Sequence, residues 1–260
     1  MIVVWVVAAS FAAQAPSLSG AVTLVGDYRF RGLSQTYGQP AIQGGVEYAS
    51  SSGAYAGSWA SNVSGNQFLN GGSLELDLYG GYRRRGIDVG LQYYWYPRAR
   101  YNIDHGDRYN TMEAYIGARY KQVSAKYSHA LTNLFGMKTR TIGGYCGIAS
   151  DGTAATSDCL GDGSSRGSGY AELAATFALI EGANLSLHYG YQHVRSYSHL
   201  SYSDYRIGLT RQFGGITLGA AAAGADAERR FYRYAPTTSG SQETEDVAKL
   251  ALVLSATKTF

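Results

Sequence analysis

The sequence predicts an all-β protein, a transmembrane antiparallel up-and-down β-barrel of about twelve strands. Three observations predict it. Apolar and polar residues alternate with a period of two along most of the chain, tight turns alternate with long loops, and the last residue, Phe260, falls in register with the apolar side of the final segment. Alternation of this kind gives a strand two faces in different surroundings. Apart from the extreme N-terminus, no run approaches the roughly 18 apolar residues of a spanning helix.

The start, "MIVVWVVAASFAAQAPS", has the form of a signal peptide over residues 1–15. Ile2 to Ala9 make a short apolar region, and Ala13-Gln14-Ala15 is a small-x-small cleavage site, with cleavage after Ala12 as the alternative. Residues 16–260 are then expected to form one barrel domain. Its first strand reads into "DYRFRGLSQTYGQP": Val22, Leu24, Tyr28 and Phe30 on the lipid side, Asp27, Arg29 and Arg31 on the lumenal side, and "GLSQTYGQP" as an external loop.

The same pattern recurs down the chain. Ile42, Val46 and Tyr48 oppose Gln43 and Glu47; Leu74, Leu76, Leu78 and Tyr82 oppose Glu75, Asp77 and Tyr79. "GIDVGLQYYWYP" sets Ile87, Val89, Leu91, Tyr93 and Trp95 against Asp88, Gln92, Tyr94 and Tyr96. Later segments set Ile116 against Glu113 and Arg119, Tyr127 against Lys126, Leu173 against Glu172, Leu187 against His188, Ile207 against Arg206, and Leu252 against Ser255. Tight turns fall near Ser51 to Gly53, Arg83 to Gly86, Lys121-Gln122, Glu181-Gly182 and Gly214-Gly215. Longer loops separate them, so short turns gather on one rim and long loops on the other.

A soluble β-sandwich also alternates. Its solvated face is rich in Lys, Thr and Ser, whereas here the polar face carries Glu, Asp, Arg, Gly and Tyr. The ending "ALVLSATKTF" adds a lipid-facing terminal aromatic, the feature that barrel assembly machinery recognises, and Lys258 on the same face can snorkel into headgroups. Composition agrees: 34 Gly and 23 Tyr, with charged residues at 16%, below the roughly 25% of soluble domains. The formal charge of +3 is spread along the chain, which excludes a nucleic-acid footprint. The basic triplet Arg83 to Arg85 reads as a solvated or headgroup-facing turn.

The stretches "DYRFRGLSQTYGQPAIQGGVEY", "GAYAGSWASNVS", "LELDLYGGY", "DVGLQYYWYP" and the terminal "TKTF" resemble the TorF family of porins. The resemblance covers nearly the whole mature chain and is densest from Thr23 to Pro97. Departures are the long loop Thr132 to Ser168, which carries two cysteines, and the arginine triplet. The resemblance implies an outer-membrane barrel of a Gram-negative cell with a channel role, and it carries over no site residues.

The lumen is where chemistry is expected. Asp27, Glu47, Glu75, Asp77, Asp88, Glu113, Glu172 and Asp204 should point inward with Arg29, Arg31, Arg119, Lys126, Arg206 and Lys249. These form either charge rings in a water-filled pore or a closed salt-bridge network, since buried charges must be paired or hydrated. Arg29 and Arg31 are the first choice for a constriction. Tyr28, Phe30, Tyr55, Tyr82, Tyr93, Trp95 and Phe213 are read as interface girdles. An enzyme with Ser and His at the lipid face is the competing class. It is disfavoured because Ser128 and His129 are adjacent on one strand and so face opposite ways. Cys146 and Cys159 are expected to form a disulfide. Asp151, Asp158 and Asp162 lack a calcium-loop pattern, and no metal or cofactor is implied. The function expected is passive diffusion of small solutes or ions, with lipid and the assembly machinery as partners. The alternative is a non-conducting structural or adhesion barrel whose external loops bind a ligand.

Overall fold

The computed structural model describes residues 15–64, 72–101, 106–180, 182–234 and 245–260; the expected signal peptide lies almost wholly outside the described residues. Twelve strands close into one antiparallel barrel. They are β1 (Ser17–Val25), β2 (Ala41–Ala49), β3 (Ala54–Asn62), β4 (Leu74–Arg84), β5 (Ile87–Trp95) and β6 (Thr111–Tyr120). The second half comprises β7 (Val123–Ala130), β8 (Gly169–Ile180), β9 (Ala183–His193), β10 (Tyr202–Phe213), β11 (Ile216–Asp226) and β12 (Ala251–Thr259). Each pairs with its neighbour in sequence, and β12 returns to β1 with Ala21 opposite Thr259 and Val25 opposite Ser255. The seam continues one residue further, where Phe260 and Gly20 exchange both backbone hydrogen bonds at 2.9 and 3.0 Å. The Phe260 ring lies on the outer face over Gly20, where a β-carbon would stand 2.5 Å from it.

The outward residues are those the alternation picks out. Leu18, Leu24, Ile42, Leu78, Leu91, Ile116, Leu173, Ile207, Leu252 and Leu254 are all exposed, a continuous apolar belt suited to hydrocarbon rather than water. Among the described residues no helix is long and apolar enough to cross a membrane. Turns and loops alternate between the rims, and both ends of the barrel chain lie on the tight-turn rim. Two of the two-residue hairpins have both central residues at positive φ: Arg85 and Gly86 at 51° and 81°, Gly214 and Gly215 at 52° and 80°. Paired positive φ matches the strand twist in two-residue hairpins.

Four expectations are corrected. β1 ends at Val25, so Asp27, Arg29 and Arg31 are not on the first strand; they belong to a loop that turns inward and forms its own two-residue ribbon, Arg29–Phe30 against Leu33–Ser34. Tyr28, Phe30 and Tyr55 are therefore not girdle residues: they are 3%, 4% and 6% exposed, inside the barrel. The turn after β4 is only Arg85-Gly86, and Arg83 stays in the strand, bridging Glu47 at 3.4 Å and Asp88 at 3.1 Å. Lys249 is also misplaced by its parity; it stands exposed in the loop before β12, paired with Glu245 at 2.5 Å.

The many glycines and tyrosines fit one another. Gly57 faces Tyr79 across β3 and β4, Gly81 faces Tyr55 on the same two strands in mirror sense, and Gly90 faces Tyr115 across β5 and β6. At each glycine the hydroxyl end of the facing ring stands within 2.8 Å of where a β-carbon would be. Each ring thus lies over a bare stretch of backbone, a device that restores packing to strand glycines. Gly90→Val is expected to expel the Tyr115 ring and destabilise the barrel by about 1–3 kcal/mol, read as a lower urea midpoint for loss of heat-shifted gel mobility.

Candidate functional site

The loop between β1 and β2 shapes the lumen. Gly26 and Asp27 bend the chain off the wall, and the Asp27 carboxylate gathers the rest of the loop around itself. It accepts hydrogen bonds from Ser34 Oγ at 2.5 Å, Thr36 Oγ1 at 3.2 Å and Arg29 Nε at 2.7 Å. Arg29 also donates to the carbonyls of Gly32 and Lys249, tying the loop to the approach to β12. The turn needs Gly32, at φ 79°, because a β-carbon there would meet Asp204 Cβ and the Gly224 carbonyl, each at 2.6 Å.

Arg31 crosses the bore. One guanidinium nitrogen donates to Glu113 Oε2 on β6 and another to Gln192 Oε1 on β9, each at 2.6 Å. The guanidinium lies 4.1 Å above the Tyr170 ring and 4.8 Å from that of Phe30. Arg31 and Glu113 are both buried, so the pair is strong only while both partners remain; removing one leaves an uncompensated buried charge at a cost of about 3–5 kcal/mol. Beside it, Tyr170 Oη donates to Asp204 Oδ2 at 2.8 Å and His188 Nε2 stands 2.8 Å from Asp204 Oδ1, with Glu172 3.6 Å from the other imidazole nitrogen.

Toward the long-loop rim the lumen is packed with rings. Tyr28 meets Trp59 at 5.3 Å between centroids, and Phe30 meets Tyr94 and Phe135 at 5.5 and 5.6 Å. Phe135 descends from the loop after β7, so two loops share this plug. Tyr96 joins them inward, and its hydroxyl and that of Tyr28 neighbour Glu75. Glu75 and Asp77 are buried on β4, and Asp77 accepts from Gln92 Nε2 at 3.1 Å. Toward the tight-turn rim the lumen keeps a cavity of about 520 Å³, lined by polar residues including Thr23, Lys126, Arg206, Thr217 and Ser255. Lys126 sits 4.3 Å over the Tyr115 ring, and Arg206 reaches only Ser186 Oγ at 3.4 Å. Neither has a carboxylate within salt-bridge distance among the described residues. Asp88 accepts from Tyr55 Oη at 2.5 Å, and Arg119 stands exposed at the tight-turn mouth.

The structure therefore brings Asp27, Arg29, Arg31 and Glu113 together, joins Glu47 and Asp88 through Arg83, and leaves Lys126 and Arg206 facing the cavity. Gln192, Tyr170, His188 and Phe135 complete the arrangement, and sequence reading did not single them out as a group. Only the inward parity of Tyr170, His188 and Gln192 signalled them. Phe135 carried no signal.

Outside the barrel the loops pack on a core of their own, with Leu134, Leu160, Val194, Tyr197, Leu200, Phe231 and Val247 buried together. Cys146 and Cys159 are joined in a disulfide. Asp151 accepts from the Thr153 amide, while Asp158 and Glu228 both bind the Arg230 guanidinium, so the loop aspartates are not gathered around one point. Ser128 is buried toward the lumen, and His129 is exposed on the outer face; its ring nitrogen stands 3.4 Å from Tyr127 Oη.

The chain belongs to a bacterial family of unknown function, Gcw_chp, whose model matches residues 9–260. That model does not carry the TorF name. A comparison with curated proteins finds no match. Among solved structures the chain is similar to the KdgM porin, at 7% identity and TM-score 0.49 over 93% of this chain and 99% of that one. It is similar also to the NanC porin, at 8% identity and TM-score 0.49 over 94% and 98%. The outer membrane phospholipase A of Escherichia coli matches at 10% identity and TM-score 0.38 over 94% and 89%. These likenesses are weak, and the barrel stands on its own strand pairing.

One loop contact sets a pH dependence. Asp107 accepts from Arg140 at 2.6 and 2.7 Å and pairs with Lys138 at 2.7 Å, linking the loops after β5 and β7. Hydrogen bonds from Arg140 and then Lys138 hold its carboxyl down, to about 2. A lowered folded-state value stabilises fully above the unfolded value of about 3.9 and is lost as pH falls through the folded value. Pepsin cleavage within residues 132–168, taken as a ratio to Asp107→Asn, is expected to stay low at about pH 4–5 and approach unity near pH 2.

Proposed function

We propose that the chain is an outer-membrane porin for small hydrophilic solutes or ions, with its constriction set by the inserted loop between β1 and β2. The observation that carries this reading is Arg31, held across the bore by Glu113 and Gln192 above a polar cavity. An apolar belt bounded by two water-facing rims supports the membrane setting, and a closed antiparallel sheet is one of the two architectures that can stand there. The resemblance to the TorF porins points the same way.

The lumenal charges favour anions. Three acids near the constriction are engaged: Asp27 by Arg29, Glu113 by Arg31, and Asp204 by Tyr170 and His188. Lys126 and Arg206 face the cavity beyond salt-bridge distance of any described acid, with Glu172 opposite Lys126 in register, and charges that line a pore set ion preference. A second reading, an adhesion barrel, is favoured by one observation. The external loops have their own apolar core and a disulfide, which makes a rigid platform.

Single-channel recording of refolded protein in a planar bilayer separates the two readings. Discrete, anion-preferring steps are expected. Arg31→Ala should enlarge them roughly twofold by freeing the loop, and Lys126→Glu with Arg206→Glu should invert the preference. Absence of steps from protein whose folding is confirmed by heat-shifted mobility would overturn the porin reading.

A further inference from the structure

The outer face of the barrel carries a polar notch that conduction does not use. Strand β8 opens at Gly169, which stands opposite His129 on β7 and His193 on β9 in the same register row. Two exposed imidazoles thus flank a residue with no side chain, with their backbones about 10 Å apart at ordinary strand spacing. Tyr127 Oη leans into the gap, 2.6 Å from where a Gly169 β-carbon would be, and stands 3.4 Å from His129 Nδ1.

Two residues earlier, Gly167 leaves a second bare position at φ 87°. A β-carbon there would lie 3.3 Å from the Arg195 guanidinium and 3.8 Å from the His129 ring. Arg195 is held in place by donating to the Arg166 carbonyl at 3.3 Å, and both arginine side chains are exposed. Among the described residues none of these four basic side chains has a carboxylate within salt-bridge distance. Directly below, on the same face, Leu173, Leu187, Tyr189 and Tyr191 are exposed and belong to the apolar belt. The notch is therefore at the level where hydrocarbon gives way to headgroups, on the long-loop rim.

We infer that this notch binds the phosphorylated headgroup of a lipid in the leaflet beside the long-loop rim. Phosphate is an acceptor-only anion that matches the guanidinium fork and takes further hydrogen bonds from imidazole and phenol. The two glycines let the Tyr127 ring and the Arg195 guanidinium lie close against the backbone beside His129, so the donors converge, and the belt below receives its acyl chains. The inference rests on the barrel's standing in a bilayer, not on its passing current, so a barrel that holds the lipid but shows no conductance leaves it intact.

The test is native mass spectrometry of the refolded full chain in detergent. Its probes are a synthetic diphosphorylated glucosamine-disaccharide lipid, the same lipid without phosphates, and inorganic phosphate. The wild type is expected to retain the diphosphorylated lipid about tenfold more tightly than the dephosphorylated one. Arg166→Gln with Arg195→Gln, and separately His129→Gln with His193→Gln, should lose most of that difference while keeping heat-shifted mobility. Arg211→Gln, an exposed arginine at the opposite rim, should keep it. Equal retention of both lipids, unchanged retention in the notch variants, or displacement of the lipid by millimolar inorganic phosphate would each overturn the assignment.

Discussion

Hydrocarbon offers no partner to an unpaired backbone N–H, and the rest of this structure obeys that constraint. A sheet can satisfy it only by leaving no edge, so the twelfth strand must find the first. Here the seam is short: five residue pairs between β1 and β12, extended by the mutual hydrogen bonds of Gly20 and Phe260. Phe260 is thus both an exposed aromatic on the outer wall and a rung of the ladder. Gly20 is what lets that ring lie flat against the outer wall.

Closure creates a second demand inside. Twelve strands enclose more space than an eight-stranded barrel, whose side chains fill it, and less than an open porin. This chain fills the long-loop half with a loop and leaves the other half polar. The loop carries its own compensation: Asp27 neutralises Arg29, and Glu113 neutralises Arg31, so two arginines enter a crowded lumen without an unmatched charge. Tyrosines lying over glycines fill the wall from within. That exchange of ring for missing side chain explains a composition rich in both and poor in ordinary core residues.

The architecture was legible in the sequence because it depends on local rules. Alternation set the faces of most strands, though not of the small-residue strands β3 and β11; turn residues placed the tight hairpins, and the outward leucines are where parity put them. The inserted loop was illegible for a related reason. Tyr28 and Phe30 continue the alternation of β1 past Val25, and nothing local distinguishes a strand that continues from one that bends at Gly26-Asp27. What bends it is distant: Arg31 finds Glu113 and Gln192, separated from it by 82 and 161 residues. Parity correctly sent Lys126, Arg206 and Glu113 inward, but it could not tell which inward charges would be paired and which left facing the cavity. Arg83 was misplaced for a simpler reason, since three arginines in a row look like a turn although only the last of them makes it.

The Arg31 clamp has a further geometric consequence. Glu113 and Gln192 stand on strands three places apart, and the loop that carries Arg31 starts from the seam on the far side of the sheet. One guanidinium can touch both only when the sheet has curled to the curvature of twelve strands. An uncurled sheet, or a ring with one hairpin too few, would hold the two acceptors at the wrong separation and leave Arg31 without its full set of bonds. The same side chain that narrows the bore therefore works as a gauge of circumference, rewarding the correct ring from within.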